Sequence, residues 1–300
     1  MSAALAATAD DEAPFRRFAR RFADSKLALL GLALLTLILL AALLGPSLAP
    51  QNPYDLAQLD IMDGRLPPGS RMGAGFTAWL GSDDQGRDML SGILYGLRIS
   101  LGVGIASAAA AGLIGTALGL LVAWRGGWVA GAIMRLVDLQ LSFPAFLVAL
   151  MVLALLGRGV LNVVLALVLV EWSYCARTAR SAALAERRRE YIEAAEGLAL
   201  STRRILFRHL LPNCLPPLIV IGTMQVARAI ALEATLSFLG LGVPVTEPSL
   251  GLLIASGYQY MLSGQYWMSV YPGIALLLAI LGINLVGDQL RDVLNPRTGT

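Results

Sequence analysis

Residues 190–213 read EYIEAAEGLALSTRRILFRHLLPN. Glu190, Glu193 and Glu196 form an acidic stripe at helical spacing, and Ile192, Ala195 and Ala199 follow i, i+3, i+7 on a neighbouring face. Ser201 or Thr202 is suited to cap a second helix, because a hydroxyl there accepts from an otherwise unpaired backbone N–H. In that helix Ile205, Leu206, His209 and Leu210 share an apolar face, and Pro212 either stops it or opens the next element. The stretch predicts two short helices with a turn between them. Two readings follow from the residues. In one, the arginines hold a surface helix pair to anionic lipid. In the other, Ala194 and Ala195 leave flat, accessible backbone for a protein partner, with the glutamates and Arg203, Arg204 and Arg208 offering charge complementarity.

The surroundings are apolar. The 300-residue chain is 57% hydrophobic and 14% charged, against roughly 25% charged in soluble domains, and its mean hydropathy is +0.69. This is the composition of a polytopic membrane protein, so lipid is a partner. Lys26 is the only lysine and the arginines lie mostly outside the apolar runs, which is the pattern of membrane orientation and not of nucleic-acid binding. His209 is the single histidine and Cys175 and Cys214 the only cysteines, so the chain cannot assemble a His-based triad or a multi-His or cysteine-rich metal site. A phosphate-binding G-x-x-x-x-G-K-[ST] loop needs a lysine followed by Ser or Thr, and Lys26 is followed by Leu27. No catalytic residue and no resident cofactor are expected.

With about 20 apolar residues needed per crossing, the runs predict spans at Leu27–Leu48, Ile99–Trp124, Ala132–Leu156, Val160–Cys175, Pro212–Leu236 and Tyr271–Val286. The fold class expected is all-α with six membrane helices. The first run is too long for a signal-peptide core and reads as a retained anchor. Basic residues concentrate in the tail before Leu27, at Arg125 and Arg135, between Arg177 and Arg208, and at Arg291 and Arg297; the other side holds Arg65, Arg71, Arg87, Arg98 and Arg158. Positive charge favours the cytoplasmic side, so both termini and the 190–213 insert are expected inside. The divisions are then a cytoplasmic tail 1–26, a first span 27–48, an outer segment 49–98, a core 99–290 containing the loop 186–211, and a cytoplasmic tail 291–300.

The insert resembles the EAA loop of ABC importer permeases, in particular the C-type subunit of the dipeptide, oligopeptide and nickel group. Glu193, Ala194 and Ala195 match the EAA, and Leu211 and Pro212 the closing Leu-Pro. SKLALLGLALLTLILLAALLGPSLAP (25–50) resembles that group's extra N-terminal span, and LGSDDQGRDMLSGILYGLRISL (80–101) the segment leading into its second span. EATLSFLGLGVPVTEPSLG (233–251) and LVGDQLRDVLNPR (285–297) are similar to later signatures, with Leu250 where Trp is often found. The resemblance implies the type I importer fold, a bacterial inner-membrane location, and import of di- or oligopeptides or a related solute such as chelated nickel. It also implies a second, B-type permease, two cytoplasmic ATPase subunits carrying ATP and Mg, and an extracytoplasmic solute-binding protein. Coupling to the ATPases would fall on Glu193, Ala194, Ala195, Ala199, Arg204, Arg208, His209, Leu211 and Pro212. One departure is Ala199, where the family usually has Gly; alanine resists positive φ, so the turn is expected to shift or tighten.

Within the spans, Gly115 and Gly119, with Ala111 before them, have small-xxx-small spacing for close helix approach or a pore wall. Pro144 is expected to kink the third span. Arg135 and Asp138 are three apart and able to pair. Glu171 is expected near the inner interface. Arg228 shares a face with Gln225, and Glu233 lies too far round the helix to pair with it; together with Arg135, Asp138 and Pro144 these are the candidate path residues. Phe238, Gly240 and Gly242 are candidates for an outer gate or binding-protein contact, in a turn or re-entrant segment. An ion-gradient carrier using Arg228, Glu233 and Asp138 as relay groups is the rival function.

Overall fold

A computed structural model describes residues 14–294. The remaining parts of the expected tails, with Arg297, lie outside the described residues. An arginine-rich helix α1 (Pro14–Ala23) precedes α2 (Lys26–Leu48), whose first turn is capped by Ser25 Oγ accepting from Ala28 N at 3.3 Å. The outer segment then folds as two single 3-10 turns and a small antiparallel hairpin, β1 (Ser70–Arg71) with β2 (Thr77–Ala78). Asp88 caps α3 (Met89–Arg125) through Ser91 N at 2.8 Å. After α3 come α4 (Gly127–Leu141), α5 (Ala145–Leu156), α6 (Val160–Arg187) and the short α7 (Glu190–Gly197). A turn of helix at Thr202–Arg204 and a π-helical segment at Ile205–Leu210 run without interruption into α8 (Leu211–Phe238); α9 (Leu250–Tyr258) and α10 (Trp267–Leu294) complete the chain.

Among the described residues five helices are long and apolar enough to cross a membrane, and α4 with α5 makes a sixth if that pair, bent by 94°, is one span. The break corrects the expected kink. Pro144 lacks an N–H and forces Phe143 out of helical geometry, while Ser142 Oγ bonds back to Asp138 O at 2.7 Å. The helix therefore stops, and Pro144 becomes the N-cap residue of α5.

Boundaries also move. The last helix runs over Trp267–Leu294, beyond the expected Tyr271–Val286 at both ends. The second span begins at Met89, ten residues before Ile99, because its first turns are buried in protein: Met89, Ile93 and Leu97 pack with Ile38 of α2 and Ile283 of α10. The outer segment thus ends at Asp88. The fourth helix does not stop at Cys175 but continues to Arg187. Its arginines made this half read as loop, yet Ala176, Ala179 and Ala183 form a buried stripe beneath them.

That stripe meets α3. A Cβ on Gly115 would lie 2.5 Å from Cys175 Cβ, and one on Gly119 would lie 2.6 Å from both Ala176 O and Ala179 Cβ. The two glycines are packing positions and not a pore wall. The anchor α2 lies on α10 in the same way, with Gly31 against Leu285. Leu43, Leu113, Leu155 and Leu161 point outward and are exposed, which makes an apolar belt for hydrocarbon.

The two ends of the bundle differ. At one end Gln289 Nε2 donates to Arg21 O at 3.0 Å, joining the two terminal regions. Arg187 Nη1 donates there to Ala123 O and Trp124 O at 2.9 and 3.0 Å, with its guanidinium over the Trp124 ring at 4.9 Å. At the other end Gly159 N donates to Gly242 O at 3.2 Å, and Arg87 reaches Val245 O. The outer segment, the α5–α6 loop and the α8–α9 loop meet here.

Candidate coupling and translocation sites

Helix α7 sits on a built seat. Ile192 and Ala195 are buried against Leu120 and Ala123 of α3, Ala183 of α6, Ile205 and Leu210 of the π segment, and Cys214 of α8. The opposite face presents Glu190, Glu193, Ala194 and Glu196 to solvent. Of the two alanines expected to offer open backbone, Ala194 does so; Ala195 turns inward and is 5% exposed. Tyr191 Oη donates to Glu186 Oε2 at 2.9 Å, and burial together with that carboxylate raises its phenol to about 12.

The end of α7 corrects the expectation for Ala199. The turn has not shifted: Ala199 takes the left-handed conformation itself, with φ of 52°. Ala199 N bonds Glu196 O at 2.9 Å and Leu200 N bonds Ala195 O at 3.2 Å. This is the Schellman pairing, in which C′ is usually glycine. The two hydrogen bonds and the packing of Leu200 against the Ile192 cluster hold alanine there.

Pro212 opens α8 and does not stop the preceding helix, so the expected second short helix is the first part of a continuous one. The π geometry explains how. Leu211 N reaches back to Leu206 O. The widened turn relieves the clash that a proline ring makes with the carbonyl four residues before it. Ser201 stands at the cap position without a side-chain bond. Arg204 and Arg208 are exposed, His209 and Leu211 are half-buried, and Phe207 is exposed beside them. Sequence reasoning missed Phe207 and the Arg187 clasp on α3. An aromatic out of phase with Ile205, Leu206 and Leu210 was the available sign of the first.

Of the candidate path residues, Gln225 and Arg228 face the same stretch of α6, at Glu171 and Tyr174, whereas Asp138 and Glu233 have partners elsewhere. Asp138 pairs with Arg177 of α6, not with Arg135, which is exposed and without an acidic partner among the described residues. Arg228 lies over the Tyr174 ring at 4.3 Å. Glu233 is fully buried, accepting from Ser100 Oγ and Ser237 Oγ at 2.7 Å each, so it ties α8 to α3. Gln225 is buried too and donates to the Glu171 backbone carbonyl at 3.3 Å. Glu171 itself is fully buried in the middle of α6, not at the interface.

Two cavities open on α8. The one at the end carrying α7 holds about 720 Å³ between α6, α8 and α10, with Thr178, Pro217, Ile221 and Leu294 along it and Glu186 and Arg291 on its walls. The other, at the outer-segment end, holds about 530 Å³ and includes Phe238 and Gly240. Phe238 meets Tyr258 edge to face at 5.8 Å. Gly240 takes φ of 76°, and a Cβ on Gly242 would strike Ser237 Oγ at 2.1 Å, so both glycines are required by a tight turn. Beside it, burial raises the Asp83 carboxyl to about 6, against backbone N–H bonds from Arg87 and Gln85.

Comparison with known proteins agrees with this architecture. Residues 115–300 match the family model described as binding-protein-dependent transport system inner membrane component, and residues 13–68 match the N-terminal TM domain of oligopeptide transport permease C. The di/tripeptide transport system permease protein DppC of Pseudomonas aeruginosa is 38% identical, over 95% of this chain and 92% of its own length. The dipeptide transport system permease protein DppC of Alkalihalophilus pseudofirmus is 35% identical, over 95% and 90%. A putative peptide permease protein of Brucella ovis is 38% identical, over 95% and 91%. An inward-facing structure of the MetNI methionine ABC transporter covers 69% of this chain and 98% of its own, with a TM-score of 0.57 at 20% identity, a likeness of fold. The chain belongs to the family of binding-protein-dependent transport system inner membrane components.

Proposed function

We propose that the chain is the C-type permease subunit of an ATP-driven importer of di- or oligopeptides, and that α7 is its docking knob for a cytoplasmic ATPase. The observation that carries this reading is the construction of α7. An eight-residue helix has its apolar face sunk into a seat made by α3, α6 and α8, while its acidic face stands free. A helix that only rested on lipid would turn its apolar face to the bilayer; this one turns it to protein. Peptide as cargo is supported by the names of the relatives.

The mechanism follows from continuity. The helical stretch Thr202–Phe238 is 37 residues long, about 55 Å at 1.5 Å per residue. A displacement of α7 enters it through the π segment and reaches the Gly240 turn at the far end. Nucleotide chemistry takes place on the ATPase subunits. A second permease of B type closes the path, and a solute-binding protein delivers cargo at the outer face. Both termini and α7 are on the cytoplasmic side in this reading. For the ion-gradient rival, Arg228, Glu233 and Asp138 have separate partners and form no relay.

Glu193→Arg tests the docking role, since Glu193 is exposed and its replacement leaves the seat intact. The variant is expected to reach the membrane at wild-type level, while ATPase co-purification and peptide uptake each fall at least tenfold. Wild-type levels of both would remove α7 from the coupling.

A further inference from the structure

The cavity at the outer end of α8 carries charge of both signs beside an apolar wall. Its volume of about 530 Å³ is within the roughly 300–1,000 Å³ of small-ligand sites. Phe238 and Tyr258, in edge-to-face contact, and Leu252 form the apolar side. Asp84 and Arg87 come from the segment before α3, and Arg158 from the α5–α6 loop.

Each of these charged groups has unused bonding capacity. Asp84 Oδ1 is buried without a hydrogen-bond partner. Arg87 is 3% exposed; its two Nη atoms share Val245 O at 3.3 Å, and its Nε, also buried, has no partner. Arg158 is exposed and forms no ion pair among the described residues. Leaving a buried donor or acceptor unpaired costs about 1–3 kcal/mol, more when it is charged. Such groups in a native structure call for a partner, which ordered water or a bound molecule can supply.

We propose that this cavity is a subsite for a short zwitterionic peptide, with Asp84 receiving the α-ammonium, Arg158 the α-carboxylate, and Phe238, Tyr258 and Leu252 a side chain. The proposal rests on the peptide-import reading and deepens it: the permease inspects both termini of its cargo at the outer face. A purely anionic or cationic solute would satisfy only one of the two charges, and an apolar solute neither. Arg87, clamped on Val245 O, braces the cavity wall.

The full chain in lipid nanodiscs is titrated with dialanine, N-acetyl-dialanine and dialanine amide, with binding read by saturation-transfer NMR. Dialanine is expected to bind, and each blocked peptide to bind about tenfold more weakly, the equivalent of one charge-assisted bond. Asp84→Asn should bring dialanine down to the level of the N-acetyl form without further weakening that form. Arg158→Gln should do the same with respect to the amide. The blocked peptides test the site even if a variant fails to fold. Absence of dialanine binding, equal binding of all three peptides, or variants that weaken all three alike would overturn the subsite. Uptake of dialanine by the wild-type chain with its partner subunits is measured alongside. Uptake without binding discards the subsite and keeps the import reading, whereas absence of uptake discards the import reading itself.

Discussion

Ala199 occupies a backbone region that costs an L-residue about 1 kcal/mol or more relative to glycine. It stays there because α7 must end sharply for Leu200 to return to the seat. Ala199→Gly is therefore expected to stabilise the α7 turn by about 1 kcal/mol, seen as slower amide hydrogen exchange at position 199 and at Leu200. Faster exchange would mean that the turn is not strained. The EAA stretch and its acidic stripe were readable in the residues alone, because helical spacing fixes which side chains share a face. The conformation of Ala199 was not, since propensity argued against it and two specific hydrogen bonds decided otherwise. The same holds for Asp138 and Glu233. Asp138's partner Arg177 and one of Glu233's two partners, Ser100, are on other helices and far away in the chain.

At the scale of elements, hydropathy located α2 and α8 to within a few residues, as apolar residues dominate both even though α8 carries Gln225, Arg228 and Glu233. It failed where protein, and not lipid, buries the helix. The start of α3 contains Ser91, Gly92 and Gly96, and the second half of α6 carries Arg177, Arg180 and Arg187. The second half of α6 reads as polar and the start of α3 is interrupted by Ser91 and two glycines, and each is helical because its small or apolar face packs on a neighbour. The α3–α6 contact gives a direct test. Gly119→Ala adds a methyl into backbone and is expected to cost about 1–3 kcal/mol, lowering the thermal unfolding midpoint in detergent. Gly112→Ala, which meets nothing within 4 Å, should leave that midpoint unchanged or slightly higher through better helix propensity. Equal midpoints for the two variants would contradict the close approach of α3 and α6.

For the whole molecule, the distribution of arginines separated two faces, and the structure has two correspondingly different ends. One gathers α7, the Arg187 clasp and the ends of α1 and α10; the other gathers the outer segment and the two loops beside Gly242. The six apolar runs were visible in the sequence, but the 94° break between α4 and α5 was not. A proline signals an interruption without fixing its angle, which neighbouring helices determine. The account as a whole makes α7 the point where force enters the bundle. The most direct measurement places a photo-reactive residue at position 194, on the exposed face of α7, in membranes that contain the complete transporter. The account predicts a cross-link to the ATPase subunit, lost when that subunit is absent. Cross-links to lipid alone while the ATPase is present, or labelling by a membrane-impermeant reagent from the periplasmic side, would contradict it.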